Sequence, residues 1–235
     1  MNQTLEVQEL AIVITAKNYS PSFLNPELLK YSGIIPEDWK LIKKPVVSNR
    51  HSQLVFQNGV IITAKPNRLI FVEPLSNRED REINLPSLVR RYTETLRTIE
   101  YLAIDVNYRG YINCPEHTVD NNRYIFDSLI KPGQWQDCGN NAVKAEVNLM
   151  FDYEEKVLNL KVNEAVLKLP DAAQLPIVLF TGRFAYNMTK DSPGDRLPKL
   201  ERIVDNWHQD LELYQDVVGK FGNVQIAKPT EAVAV

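Results

Sequence analysis

The sequence predicts an α+β protein in which antiparallel sheets carry amphipathic helices packed on them, and three observations lead there. Residues 53–72 read as a three-stranded meander turned at Asn58-Gly59. Further stretches alternate apolar with polar residues at the period of two that marks a strand. Two others, 85–99 and 200–221, repeat apolar residues at the spacing of one helical face. A run of strands followed by such a helix occurs twice. The finer reading is therefore two similar sheet-plus-helix halves, 1–112 and 143–223, with a loop-rich connector at 113–142 and a tail at 224–235. The same elements can also build one compact domain.

Taken in order, Leu10 to Thr15 form a buried strand. The chain then passes Pro21, Pro26, Pro36 and Pro45, which break any long helix or central strand but leave room for a short helix at Pro26–Tyr31 with proline first. In the meander, Asn58-Gly59 suits a two-residue turn, because both types tolerate positive φ. Such a turn sets Phe56 opposite Ile61 and Leu54 opposite Thr63 on one face, and Val55 opposite Ile62 and Gln57 opposite Val60 on the other. Both faces are largely apolar, so something is expected against each, either the rest of the chain or another subunit. Val55, Gln57, Val60 and Ile62 form the candidate partner-binding face.

Asn84 or Ser87 can cap the helix that carries Leu85, Leu88, Val89, Tyr92, Leu96 and Ile99 on one face. Tyr101 to Ile112 alternates cleanly, with Asp105, Asn107 and Arg109 on its polar side. Loop signals fill 113–141, with a short helix around 122–130. Residues 143–151 and 158–169 read as antiparallel partners joined by a turn at 152–156, and 177–188 as the next strand. One long helix follows, bearing Leu200, Ile203, Val204, Trp207, Leu211, Tyr214, Val218 and Phe221, until Gly219 and Gly222 stop it.

Composition narrows the function classes. With 235 residues, 44% hydrophobic and 24% charged, a sizeable core is expected, and a net charge of −3 with interspersed signs argues against nucleic-acid binding by phosphate neutralisation. The basic pairs Lys43-Lys44, Arg90-Arg91 and Arg78/Arg81 are diluted by acidic neighbours and read as solvated surface. No secretory signal pattern and no apolar run long enough to span a bilayer is present, so no membrane association and a cytoplasmic location are expected. Two cysteines, Cys114 and Cys138, are too few for a disulfide scaffold.

Candidate chemistry is sparse. Cys114 and His117 with Cys138, Asp120 and Asp137 suggest a zinc set, but structural zinc sites use two close ligand pairs, and adjacent Asp137-Cys138 diverge, so no metal is assigned. His208 lies beside Trp207 at the edge of an apolar helix face, where a hydrogen bond or partner contact accounts for it. The glycines never fall into a phosphate-binding spacing, and no cofactor is expected. Asp152, Glu154 and Glu155 share an exposed turn and read as solubilising charges rather than an acid/base pair. Asp105, Asn107 and Arg109 on one strand match a second polar row, Thr181, Arg183 and Asn187, on another. These rows are candidates for a solvent or subunit face, a ligand groove, or a catalytic acid with an anion-binding arginine. Gly110 and Gly182 interrupt the opposite rows, where a bulge or close backbone approach is expected.

The Gly59 turn, Pro66-Asn67-Arg68-Leu69 leading into Phe71, the Tyr92-bearing helix, the Tyr108-Arg109 strand and a long helix with His208 and Phe221 together resemble a sporadically distributed family of uncharacterised prokaryotic proteins. The Arg-Tyr-Ile-Asn order of that family's strand is replaced here by Tyr108-Arg109-Gly110. The resemblance covers most of the chain thinly and implies no catalytic residues. The leading expectation is a non-enzymatic protein that binds a protein or peptide or assembles as a homo-oligomer. The alternative is a small-molecule-binding protein or enzyme using a polar groove around Asp105, Arg109 and Arg183, with Asn107 and Thr181 as further ligand contacts.

Overall fold

The computed structural model describes residues 3–75, 83–114, 123–131, 133–137, 144–169, 173–221 and 224–226, and its sheet is assembled around strand β1 (Gln3–Lys17). Leu10, Ile12 and Ile14 of β1 point to one side and Ala11 and Val13 to the other, and all five are buried. Such a strand lies in the middle of its sheet. It pairs antiparallel with β4 (Arg68–Pro74) on one edge and β5 (Glu100–Asn113) on the other. With β2 (Ser52–Val55), β3 (Ile61–Lys65), β6 (Glu146–Asp152), β7 (Val157–Lys168) and β8 (Gln174–Asn187), the order is β2-β3-β4-β1-β5-β8-β7-β6, antiparallel throughout. The short β9 (Val224–Ile226), in the segment expected as tail, adds a parallel pairing to the first residues of β1. β1 leads to a three-stranded meander whose last strand returns to β1, and β5 leads to a second meander whose last strand returns to β5.

Among the described residues, five α-helices complete an α+β fold that is mostly sheet: α1 (Pro26–Tyr31), α2 (Leu85–Thr95), α3 (Tyr124–Ser128), α4 (Pro193–Asp205) and α5 (Trp207–Gly219). Leu29, Leu88, Val89, Tyr92, Tyr124, Ile125, Leu200, Ile203, Val204, Tyr214 and Val218 from these helices join one contiguous core. The sheet contributes Leu10, Ile12, Ile14, Leu54, Ile62, Phe71, Ile104, Val106, Tyr108, Leu158, Leu160 and Phe184 to that core, and these alternate with a second set of side chains along every strand. The helices therefore cover a single face of the sheet.

Local chemistry explains how each helix is seated. Glu73 on β4 is fully buried and caps α2: its Oε2 accepts from the Leu85 N–H at 2.7 Å and its Oε1 accepts from the Asn84 N–H and Nδ2 at 3.2 and 3.0 Å. A carboxylate at a helix N-terminus satisfies donors that have no intrahelical partner and complements the dipole. The expected long helix is broken in two at Asn206. Asn206 turns its Nδ2 back onto the Arg202 carbonyl at 2.9 Å, the competition with the backbone ladder that makes asparagine a poor interior residue. Tyr214 of α5 lies against the backbone of β5 and β8. A Cβ on Gly182 would stand 2.6 Å from its ring and one on Gly110 would stand 3.0 Å from its hydroxyl, so both glycines permit the close approach expected for them.

The first meander turns differently from the sequence expectation. Phe56 donates its N–H to the Val60 carbonyl and Val55 faces Ile61, so the loop is the three residues Gln57, Asn58 and Gly59, with Gly59 at φ 90°. A three-residue loop ending on a left-handed glycine is the next most common hairpin after the two-residue turn. The pairing shifts by one residue. Leu54, Phe56, Val60 and Ile62 now share the core face, while Val55 and Ile61 share the other.

Candidate functional site

The face of the sheet away from the helices carries one row of side chains across all eight antiparallel strands: Val55, Ile61, Val72, Ala11, Asn107, Arg183, Asn159 and Met150, each directly opposite the next. A second row runs beside it through Gln53, Thr63, Ile70, Val13, Asp105, Ala185, Val157 and Asp152. None of these belongs to the core beneath the helices. Ala11 and Val13 are only 8% and 7% exposed because they lie low between Val72, Ile70, Asn107 and Asp105 on the flanking strands.

The two halves of this face differ in chemistry. On β2, β3, β4 and β1 it is apolar, through Val55, Ile61, Ile70, Val72, Ala11 and Val13. On β5, β8 and β7 it is polar and internally paired. Arg183 donates from Nη2 to Asp105 Oδ1 at 3.1 Å, with the Asp105 side chain 11% and the Arg183 side chain 53% exposed. Arg109 approaches Glu9 at 3.6 Å, and Asn107 Nδ2 donates to the Ala11 carbonyl at 3.2 Å. Lys161 pairs with Glu146 at 2.6 Å, and that ammonium, with the Asn148 amide, holds the Glu146 carboxyl below the ordinary range.

The residues expected to line a groove are thus brought together. Asn107 lies opposite Arg183, Arg109 opposite Thr181, and Asp105 is diagonal to Arg183 within ion-pair distance. Among the described residues they stand on one face of the sheet that no helix covers, rather than within a cleft. Of the expected partner face, Val55 is half-buried on this surface, Gln57 is exposed in the turn, and Val60 and Ile62 are fully buried under the helices. The one-residue register shift separates them. Ile61, Ile70 and Val72 take the place of Val60 and Ile62; their period-two spacing is visible in the sequence, but which set faces outward depends on the loop length.

A second cluster lies on the helix side. Asp210 on α5 is 1% exposed, and its carboxylate accepts from the Lys156 ammonium at 2.5 Å and from the Tyr186 hydroxyl at 2.8 Å. Burial pushes the Asp210 carboxyl up, against the lowering by Lys156 and Tyr186, and burial beside Asp210 pushes the Tyr186 hydroxyl up as well. Lys156 also sits 5.1 Å from the centre of the Phe184 ring. Every member is paired, and the set ties the β6–β7 turn to α5. Sequence reading missed it, since Lys156 and Asp210 stand 54 residues apart with no motif joining them.

His117, Asp120, Cys138, Arg78 and Arg81 lie outside the described residues, and Cys114 is buried in the core. Among the described residues, no three histidine, cysteine or acidic side chains gather as a metal site, and no helix is long and apolar enough to cross a membrane. Comparison with family models and with curated proteins finds no match for this chain.

Proposed function

We propose that the chain acts without catalysis, by binding a protein partner on the open face of its sheet. The observation that carries this reading is the apolar half of that face. Half-buried Val55, Ile61, Ile70 and Val72, with buried Ala11 and Val13 between the strands beneath them, make a continuous apolar face on four adjacent strands that no described helix covers, and apolar surface of that kind beside a polar rim is the composition of a docking site. The neighbouring ion pairs Asp105–Arg183 and Glu9–Arg109 supply orientation rather than free acid or base. A photoreactive amino acid placed at Val55, Ile61 or Arg183 is expected to give a discrete heteromeric adduct in cells, while the same group at exposed Glu212 on α5 gives none. No adduct at any of the three face positions overturns the proposal.

The connectivity supports a division into two similar units. We infer that one unit comprises β1 to α2 and the other β5 to α5, each a strand, a connector, a meander returning to that strand, and a closing helical segment, α2 in the first and α4 with α5 in the second. This assigns β5 to the second unit rather than the first, with the two opening strands paired at the centre.

A second reading, a ligand site for a small anion, rests on Arg183 and Arg109 lying two residues' reach from one another with Asn107 and Thr181 beside them. It calls for saturable binding of a small carboxylate or phosphate that is abolished by Arg183→Ala.

A further inference from the structure

We infer that β6 pairs edge to edge with β6 of a second copy of this chain, about a two-fold axis through Asn148. This edge is a different surface from the apolar sheet face. At the opposite end of the sheet the outer edge of β2 is occupied: Ile42 donates to the Val55 carbonyl, Val46 and Gln53 exchange hydrogen bonds, and Gln57 donates to the Lys40 carbonyl. Among the described residues nothing covers β6 in that way, and it ends the strand order. The strand also lacks the devices that usually protect such an edge. Val147-Asn148-Leu149-Met150-Phe151 contains no charge, proline or glycine, its pairing with β7 has no bulge, and Met150 is 72% exposed.

The phase of the free groups can be read from the hairpin. Tyr153 and Lys156 exchange both backbone hydrogen bonds, so by the antiparallel alternation Phe151, Leu149 and Val147 turn their amides to β7, and Asp152, Met150, Asn148 and Glu146 turn theirs outward. A partner strand must match those outward groups. Two-fold pairing centred on Asn148 does so, and sets Lys144 opposite Asp152 of the second copy at both ends, with Glu146 opposite Met150. Moving the axis to Leu149 keeps the phase but sets Glu146 against Asp152 beside a Lys144–Glu154 pair; moving it to Met150 sets Glu146 against Glu154 and Lys144 against Lys156. Like charges directly opposite destabilise a strand pair and unlike charges stabilise it, and of the three registers only the one centred on Asn148 opposes unlike charges without opposing like ones. In that register Val147 lies across from Leu149 and Ala145 across from Phe151 on the helix side, closing half-buried side chains into an apolar seam. The result is one sheet running through both copies.

An interface built on one edge and its flanking side chains is small, so dimerisation is expected at micromolar rather than nanomolar concentration. Sedimentation velocity of the full chain between about 1 and about 100 µM is expected to show a monomer–dimer equilibrium. Lys144→Asp and Asp152→Lys each place like charges across the axis and should weaken the dimer by about tenfold or more at low salt. The double variant Lys144→Asp/Asp152→Lys restores opposite charges and should regain dimerisation. Both positions are exposed, and circular dichroism checks that each variant folds. A wild-type chain that stays monomeric, a dimer indifferent to either single reversal, or a double variant that does not recover overturns the inference.

Discussion

At the scale of single residues, the most constrained group is the carboxylate of Asp210. It is buried, yet held by Lys156 and Tyr186, so its charge is tolerable only while the ammonium remains. Removing one partner from a buried ion pair costs more than the pair contributes, because the survivor is left uncompensated. Lys156→Met is expected to lower unfolding stability by about 3 kcal/mol at neutral pH, measured by denaturant titration. The pH dependence has a definite sign. A carboxyl raised in the folded state keeps its proton to higher pH than in the unfolded chain, so its contribution falls as pH climbs from the ordinary aspartate range to the raised value. Loss of Lys156 widens that window. The stability gap between variant and wild type should therefore narrow on acidification; a gap that is constant or widens would show that the lost interaction is packing on Phe184 rather than charge. Elsewhere the carboxyls of Glu100 and Glu146 are lowered, by Arg196 and Lys161 first, so what they contribute is present at neutral pH and lost as pH falls through their folded values.

At the scale of elements, α2 depends on a residue outside itself. Asn84 at its N-cap makes no side-chain cap, and Glu73 on β4 does this from across the layer interface. Glu73→Ala leaves buried helix N–H groups unsatisfied and is expected to cost about 2 kcal/mol; Glu73→Gln, which keeps an acceptor, should cost less. Denaturant midpoints of the two variants test the order, and equal losses would place the effect in packing alone. The elements also show what could be read in advance. The period-two runs of β5 to β8 and the helical spacing of α2 are local patterns, and the sequence states them openly because each is written within a dozen residues. The loop of the first hairpin is different. Asn58-Gly59 fits both a two-residue turn and a three-residue loop closing on glycine, and what distinguishes them is tertiary: Phe56 buried against Trp39 and bridged to Leu41. That single residue of uncertainty exchanged Ile62 for Ile61 on the outward face. The break at Asn206 likewise depends on a side-chain bond that helical periodicity does not register.

At the scale of the whole molecule, the strand order places β1 and β5 at the centre, with β2 and β6 at the ends. Amide exchange should follow that order, slowest in β1 and β5 and fast at the outward N–H groups of Asn148 and Met150. Those two amides should become protected as concentration rises if the edge is paired, whereas Gln53, already bonded to Val46, should not change. The juxtaposition of Asp105, Asn107, Arg109, Thr181 and Arg183 was legible as two matching polar rows. Their meeting needed β5 and β8 to be neighbours, which hairpin logic alone does not supply, because 60 residues separate Asn113 from Gln174.

The central position of β1 bears on how the chain is made. Its partners are β4, β5 and β9, all downstream, so Leu10-Ala11-Ile12-Val13-Ile14 is synthesised well before any strand that can pair with it. Pairings this distant in sequence form slowly. Until residues 68–74 and 100–113 have emerged, the nascent chain carries this apolar strand with both edges unsatisfied, the condition in which unpaired strand edges are aggregation-prone.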